Sequence, residues 1–454
     1  MLRMIVLMVF VVTMVMGVAV TMADEGDTRG SSLAGRWNVV FQMPRDSYEM
    51  PVEFVVASGG KVTATVLGPL GTFRIINTEA HLDGNKLTID AETSYGKLKI
   101  DATLEGDRLR GKWFHDGLVE RLFFKGEVRG MRNGTYVAKP PLNVFDATWA
   151  HIERDFYSPD FNGVDVRSLR RSFRTLVAAA HTDGEILSIM RRMLGEFRTS
   201  HFDFFATPSW SKELHPAPMT DSDTSAGITW KQLTSSVGYL RIESFEDGPT
   251  VVARVDRAFA ELGNYPALVI DLRGNGGGTL SAAMRLGDYL LPRMQSVGYF
   301  ASRAGLTRHR VRSIDQINPS ALPVFSGYKS EDFSREMMNK GALMLATGGR
   351  AESRYRGRVV ILIDEYCFSA SEALASVVKE TRAATLIGRR TAGAMLSADT
   401  VGLEGGWTLL LPVWDFRTPQ GVRVEGCGVE PTIAVKQRDD KDADIEAALA
   451  FLKQ

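Results

Sequence analysis

The chain reads as an α/β protein preceded by a small helical bundle and an N-terminal all-β, barrel-like domain. Three observations predict this. Residues 33–130 carry short segments of alternating apolar and polar residues, separated by glycine-containing turns. From Gly227 the pattern changes to apolar strands alternating with helix-period stretches. Within that part, the apolar run 359–364 leads through Cys367-Phe368-Ser369-Ala370-Ser371 into a helical pattern at 372–380.

A length of 454 residues is too great for one ordinary domain and enough for two or three. Lys+Arg and Asp+Glu both number 54, so net charge gives no reason to expect nucleic acid as a partner. A hydrophobic share of 44% suits a sizeable core.

The first residues stand apart. Arg3 precedes the apolar run 4–21, and Ala23 precedes Asp24-Glu25-Gly26-Asp27. This predicts a signal peptide over residues 1–23 and an exported protein, periplasmic or secreted. The competing reading is an uncleaved anchor, which would associate the protein with a membrane. The two cysteines, Cys367 and Cys427, are too few for a disulfide framework, although export permits one bond.

Residues 31–132 form the antiparallel β domain. Leu82-Asp83-Gly84-Asn85-Lys86-Leu87 recurs as Leu104-Glu105-Gly106-Asp107-Arg108-Leu109, each a hairpin turn between alternating strands. Asn133-Gly134-Thr135 matches a glycosylation acceptor and also reads as a plain turn. After Pro140-Pro141, residues 142–205 read as helices over 144–157, 166–179 and 183–197. The methionines there are expected as core filler. Residues 205–225 read as a loop, and 226–436 as the α/β core. Within the core, 296–356 reads as an irregular charged lid or rim. Residues 437–454 hold a C-terminal helix.

Two motifs carry chemistry. Ser369 lies where a strand ends and a helix begins, so the helix's orphan N–H groups and dipole favour negative charge beside it. A hydrolase places a serine nucleophile at such a junction. The plainer alternative makes Ser369 and Ser371 N-caps. Asp271-Leu272-Arg273-Gly274-Asn275-Gly276-Gly277-Gly278 also follows a buried strand. Its spacing fits neither a dinucleotide fingerprint nor a P-loop. It reads as a tight turn or as an oxyanion hole, with one N–H from Gly277 or Gly278 and another from Ala370. Among the seven histidines, His201 stands out because it follows Ser200 where helix gives way to loop. A general base beside a serine nucleophile is a histidine oriented by a third group, and the plainer alternative is an exposed histidine with no such role.

These motifs, with Arg382-Ala383-Ala384-Thr385-Leu386-Ile387-Gly388-Arg389-Arg390-Thr391-Ala392-Gly393, resemble the C-terminal processing peptidases, the tricorn protease core and the interphotoreceptor retinoid-binding protein. The helical stretch from Thr148 to Asp165 is similar to the segment preceding the core in the tricorn-like branch. The resemblance covers residues 142–435 and implies a ClpP/crotonase-like core of ββα units. Processing peptidases use a serine–lysine dyad, but Ala394 occupies the lysine position here. Thr199-Ser200-His201 and Val424-Glu425-Gly426-Cys427 match the tricorn-like pattern instead. The resemblance therefore implies Ser369 as nucleophile, His201 as general base, and Ser200 and Glu425 as the orienting relay. Cys367 and Cys427, near Ser369 and Glu425 in sequence, are then expected in one region, bonded or as two free thiols.

The expected function is an exported serine peptidase acting on peptides or proteins through an acyl-enzyme, with no metal or other cofactor. About 35 residues separate His201 from Val237, too few for the PDZ domain of the processing peptidases. Two other classes stay open: a non-catalytic protein binding an apolar ligand on the same fold, and a crotonase-like acyl-CoA enzyme, against which export and the Ser/His/Glu set argue.

Overall fold

The computed structural model describes residues 33–454 except 43–46, 58–59, 69–74, 94–95, 116–123, 133–140, 207–226, 246–248, 292–293, 349–353 and 439–440. The signal peptide, the Asn133-Gly134-Thr135 acceptor, Pro140, His215 and residues 207–225 of the expected loop lie outside the described residues. Among the described residues, no helix is long and apolar enough to cross a membrane.

Eight antiparallel strands close into a barrel: β1 Gly35–Gln42, β2 Ser47–Val56, β3 Lys61–Val66, β4 Ile75–Asp83, β5 Lys86–Thr93, β6 Gly96–Glu105, β7 Arg108–His115 and β8 Phe124–Arg132. The period-2 pattern is plain in β5, where exposed and buried residues alternate along its whole length. The repeated turns are two-residue hairpins, with Asp83 paired to Lys86 and Glu105 to Arg108. Gly84 and Gly106 hold φ of 59° and 61°, the left-handed backbone that such turns demand. Trp37, Phe41, Phe54 and Trp113 fill the interior.

Helices α1 Pro141–Asp155, α2 Val166–Ala178 and α3 Asp183–Gly195 follow. A capping box starts α3: Thr182 accepts from Glu185 N while Glu185 reaches back. Its apolar stripe, Met190, Met193 and Leu194, is buried, with Phe197 beyond it. The barrel docks here. Glu53 of β2 accepts from the N–H groups of Asp183 (3.1 Å) and Gly184 (2.6 Å) at the start of α3.

The core holds two six-stranded sheets. In one, β11 Val237–Ile242, β12 Ala267–Asp271, β16 Arg358–Ile363, β17 Thr385–Gly388 and β20 Ile433–Ala434 pair in parallel, with β10 Ile228–Thr234 antiparallel at the edge. Helices α4 Pro249–Leu262 and α5 Leu280–Leu290 connect its early strands. The other has the order β14 Val324–Phe325, β15 Ala342–Ala346, β13 Ser296–Ser302, β19 Trp407–Arg417 and β18 Ser397–Leu403, and β9 Asp203–Ala206 joins β19.

The second sheet corrects the expectation of an irregular charged lid or rim at 296–356. That stretch supplies β13, β14 and β15, with helices α6 Arg303–Arg308 and α7 Ser330–Lys340 between them. The helices are short and charged, and α7 buries only Phe333 and Met337, too narrow a stripe to register as helical period.

The remaining helices are α8 Ala370–Glu380 and α9 Ala443–Leu452. An ion network fixes α9 to the glycine-rich turn. Arg273 grips Asp271 through Nε (2.9 Å) and Nη2 (2.7 Å), and reaches Asp442 and Asp444 at 2.8 and 2.9 Å. Burial pushes the Asp271 carboxyl up, but hydrogen bonds from Arg273 and the charges of Arg241 and Arg273 outweigh it and hold the group below its usual range.

Candidate active site

Ser369 occupies the N-cap position of α8 with φ 53° and ψ −120°, and its side chain makes no capping bond. The parallel strand β16 ends at Ile363, and the turn 364–369 throws the serine out at the start of the helix. Ser371 is buried, its hydroxyl donating to the Phe368 carbonyl at 2.6 Å with the Asn275 carbonyl 3.0 Å away. Neither serine therefore acts as an N-cap, and Ser369 is the one left half-exposed with an unoccupied hydroxyl. A non-glycine residue at positive φ is costly and persists where surrounding structure enforces it.

His201 shares that property, with φ 56°. It follows α3 in the short link to β9. Ser200 Oγ lies 2.8 Å from His201 Nδ1 and donates to Glu425 Oε2 at 2.8 Å. Glu425 Oε1 accepts from Ser200 N (2.8 Å) and Thr199 Oγ1 (3.3 Å), and Oε2 also accepts from Met395 N at 2.8 Å. A hydroxyl has one proton, and Ser200 gives its own to the carboxylate. At His201 it can only accept, so Nδ1 carries the imidazole proton and Nε2 keeps its lone pair. Desolvation lowers the His201 pKa to about 3, which keeps the ring neutral at ordinary pH.

The segment 391–395 links the serine to this relay. Ser369 N donates to Ala394 O at 2.9 Å, and the next residue, Met395, supplies the N–H that reaches Glu425. Ala394 is buried beside Phe205, Phe368 and Leu410.

The glycine-rich turn packs directly on the nucleophile. A Cβ added at Gly277 would stand 2.7 Å from Ser369 Cβ and 3.1 Å from Ala370 N, and φ there is +82°. Gly277 N–H, however, donates to Asn275 Oδ1 at 2.8 Å. That engagement leaves Gly278 as the free one of the two glycine donors that the sequence offered. Gly278 and Ala370 remain: neither N–H has an acceptor among the described residues, and Gly278 is exposed. Asn275 itself is wholly buried, its amide donating to Ile242 O at 3.0 Å.

Cys367 and Cys427 are both free thiols, so the disulfide does not form. Cys367 is buried, its thiol donating to Leu272 O at 3.0 Å, while Cys427 is exposed. Burial pushes the Cys367 thiol well up from its ordinary value. Among the described residues, no group of three or more His, Cys, Asp or Glu is gathered as a metal site requires. A polar cleft of about 930 Å³ opens nearby, lined by Tyr157, Arg198, Asp415, Arg417 and Arg423, but not by Ser369 or His201.

Sequence reasoning passed over Glu372, Asn275 and Asp364. Asp364 is buried and accepts from Gly274 N at 2.9 Å, joining the glycine turn to the serine turn. Glu372 opens the helical pattern at 372–380 and gave no sign of a role, yet it is 0% exposed. Three residues after a strand-to-helix serine, on a helix with apolar neighbours all round, an acid must lie inside. That apolar surround was the available signal.

Comparison with known proteins shows what the chain is similar to. Residues 236–435 match the model of peptidase family S41, and residues 140–195 match that of the tricorn protease C1 domain. The chain is 27% identical over 199 residues to the chloroplastic C-terminal processing peptidase of Tetradesmus obliquus, covering 43% of this chain and 34% of that protein. It is 26% identical over 204 residues to the carboxyl-terminal-processing protease of Synechocystis sp., covering 44% and 38%. The chain thus spans little more than a third of the length of these curated relatives. A solved structure from Parabacteroides merdae ATCC 43184 shares the fold, with a TM-score of 0.52 at 20% identity, covering 70% of this chain and 98% of that one.

Proposed function

Since residues 236–435 match the model of peptidase family S41, we propose that this protein is a serine peptidase that cleaves peptide or protein substrates with a Ser369, His201, Ser200 and Glu425 tetrad. The observation that carries the reading is the hydrogen-bonded series Glu425–Ser200–His201, which leaves His201 Nε2 free as a base. In the proposed reaction, Nε2 takes the Ser369 Oγ proton as Oγ attacks the scissile carbonyl. The N–H groups of Gly278 and Ala370 receive the oxyanion. The imidazolium then protonates the departing amine, which leaves an ester between Ser369 and the acyl half of the substrate. Water, deprotonated by His201, releases the acid and restores the hydroxyl.

Ala394 in the position of the lysine dyad supports a histidine base in place of a lysine. The reading includes export, supported by the apolar run 4–21 after Arg3, and engagement of substrate without a PDZ domain. A fluorophosphonate probe followed by peptide mapping tests it. Labelling of Ser369, abolished in Ser369→Ala, is expected. A folded protein that neither labels nor cleaves peptides would instead favour a non-catalytic binding role on this fold.

A further inference from the structure

We propose that Glu372 is a positioning residue: its carboxylate pins residues 391–395 so that one strap serves Ser369 on one side and Glu425 on the other. The inference rests on the serine-peptidase reading above. Glu372 lies in the first turn of α8, three residues after Ser369, and is completely buried. Oε1 accepts from Thr391 Oγ1 at 2.5 Å and Gly393 N at 2.7 Å, and Oε2 from Ala394 N at 2.7 Å. An acid in a first helical turn ordinarily sits in water, so burial here is costly unless donors meet it. Three donors do, and all belong to the strap.

What the strap does next gives the carboxylate its role. Ala394, whose N–H is held by Glu372, offers its carbonyl to Ser369 N at 2.9 Å. Met395 N then donates to the Glu425 oxygen that also receives the Ser200 hydroxyl. Gly393 O accepts from Gly426 N at 2.7 Å, and Thr391 Oγ1 from Val429 N at 2.7 Å. Moving the strap would therefore shift the nucleophile's backbone and the relay carboxylate together. A displacement near 1 Å in such groups costs about a hundredfold in rate.

A protonated carboxyl holds these three donors less well, because one oxygen then carries a proton and is a weaker acceptor. Desolvation raises the Glu372 pKa to about 7, against the hydrogen bonds of Thr391, Gly393 and Ala394, and the charge of Glu425 pushes the same way. The ionisable groups facing it are Glu425 and the Cys367 thiol. Burial shifts His201 downward, away from this range, so an acid limb of kcat that disappears in Glu372→Gln is assigned to Glu372.

The test measures kcat, KM and their pH profiles for the full chain and Glu372→Gln, with folding checked by circular dichroism. Expected for Glu372→Gln is a kcat lower by about tenfold or more at pH 8, KM within about threefold, and no acid limb between pH 5 and 8. Glu372→Asp, which keeps the charge on a shorter arm, should recover part of the rate and keep the limb. Wild-type kcat in folded Glu372→Gln, or an unmoved limb, overturns the inference. Should Glu372→Gln not fold, Thr391→Val removes one donor, and a folded Thr391→Val with wild-type kcat overturns it equally. Loss of Ser369 labelling in the wild-type chain would sink the peptidase reading itself. Intact labelling with an indifferent Glu372 sinks only this proposal.

Discussion

Ser369 and His201 both hold a left-handed backbone that side-chain-bearing residues avoid, at φ 53° and 56°. The Ser369 hydroxyl makes no capping bond, so Ser369→Ala should lower stability by less than about 1 kcal/mol. Peptidase turnover should fall by several orders of magnitude, because the attacking oxygen is gone. A melting curve and an initial-rate assay on the same preparation decide this, and retained turnover removes Ser369 from its role. His201→Ala should be nearly as severe, and adding Ala394→Lys should not restore it. Position 394 is buried against Phe205, Phe368 and Leu410, where an ammonium group is poorly solvated, and its backbone is committed to Glu372 and Ser369. A double variant as fast as wild type would show that a lysine base fits after all. The lowered His201 pKa also fixes a sign for stability. Between pH 6.5 and about 3 the unfolded chain binds a proton that the folded one refuses, so stability falls as pH falls through that window. His201→Gln should lose less stability than wild type from pH 6.5 to 4 in urea titrations. An equal or larger loss would mean that the ring is not desolvated.

At the scale of elements, the strand-to-helix turn at Ser369 and the glycine turn at 274–278 form one unit. Gly277→Ala would drive a methyl to 2.7 Å from Ser369 Cβ at a φ of +82°. Expected is a kcat loss of about a hundredfold, comparable to losing one oxyanion donor, with a left-handed backbone penalty of about 1–2 kcal/mol. Unchanged kcat would mean the turn does not face the reacting carbonyl. Both turns were legible in the sequence because a buried parallel strand is a continuous apolar run, and small residues after it mark the turn. Which N–H groups are free was not legible. That depends on Asn275 folding its amide back onto Gly277, a local side-chain bond that spacing cannot reveal. The second sheet was hidden for another reason. Its β13 and β15 are short apolar strands set among charged helices of eleven residues or fewer.

Across the whole molecule, α3 joins the barrel to the base. Glu53 of β2 sits at its start, and the chain leaving its end reaches Ser200 and His201. Glu53→Ala should expose two helix N–H groups and cost about 1–2 kcal/mol, lowering Tm by a few degrees. A Tm unchanged within error would show that the barrel docks without this contact. The barrel was legible from alternation and its repeated turns, but its docking was not, since Glu53 reads as an ordinary outward strand residue.

Glu425 and Ser200 stand 225 residues apart in sequence. At translation rates of about 5–20 residues per second, the base leaves the ribosome at least about ten seconds before the carboxylate that orients it. On the proposed reading, the growing polypeptide carries a histidine with no fixed tautomer throughout that interval. Synthesis order itself then acts as a safety catch: a ribosome-bound chain stalled short of Glu425 should leave a fluorophosphonate probe unreacted, and the finished protein should consume it.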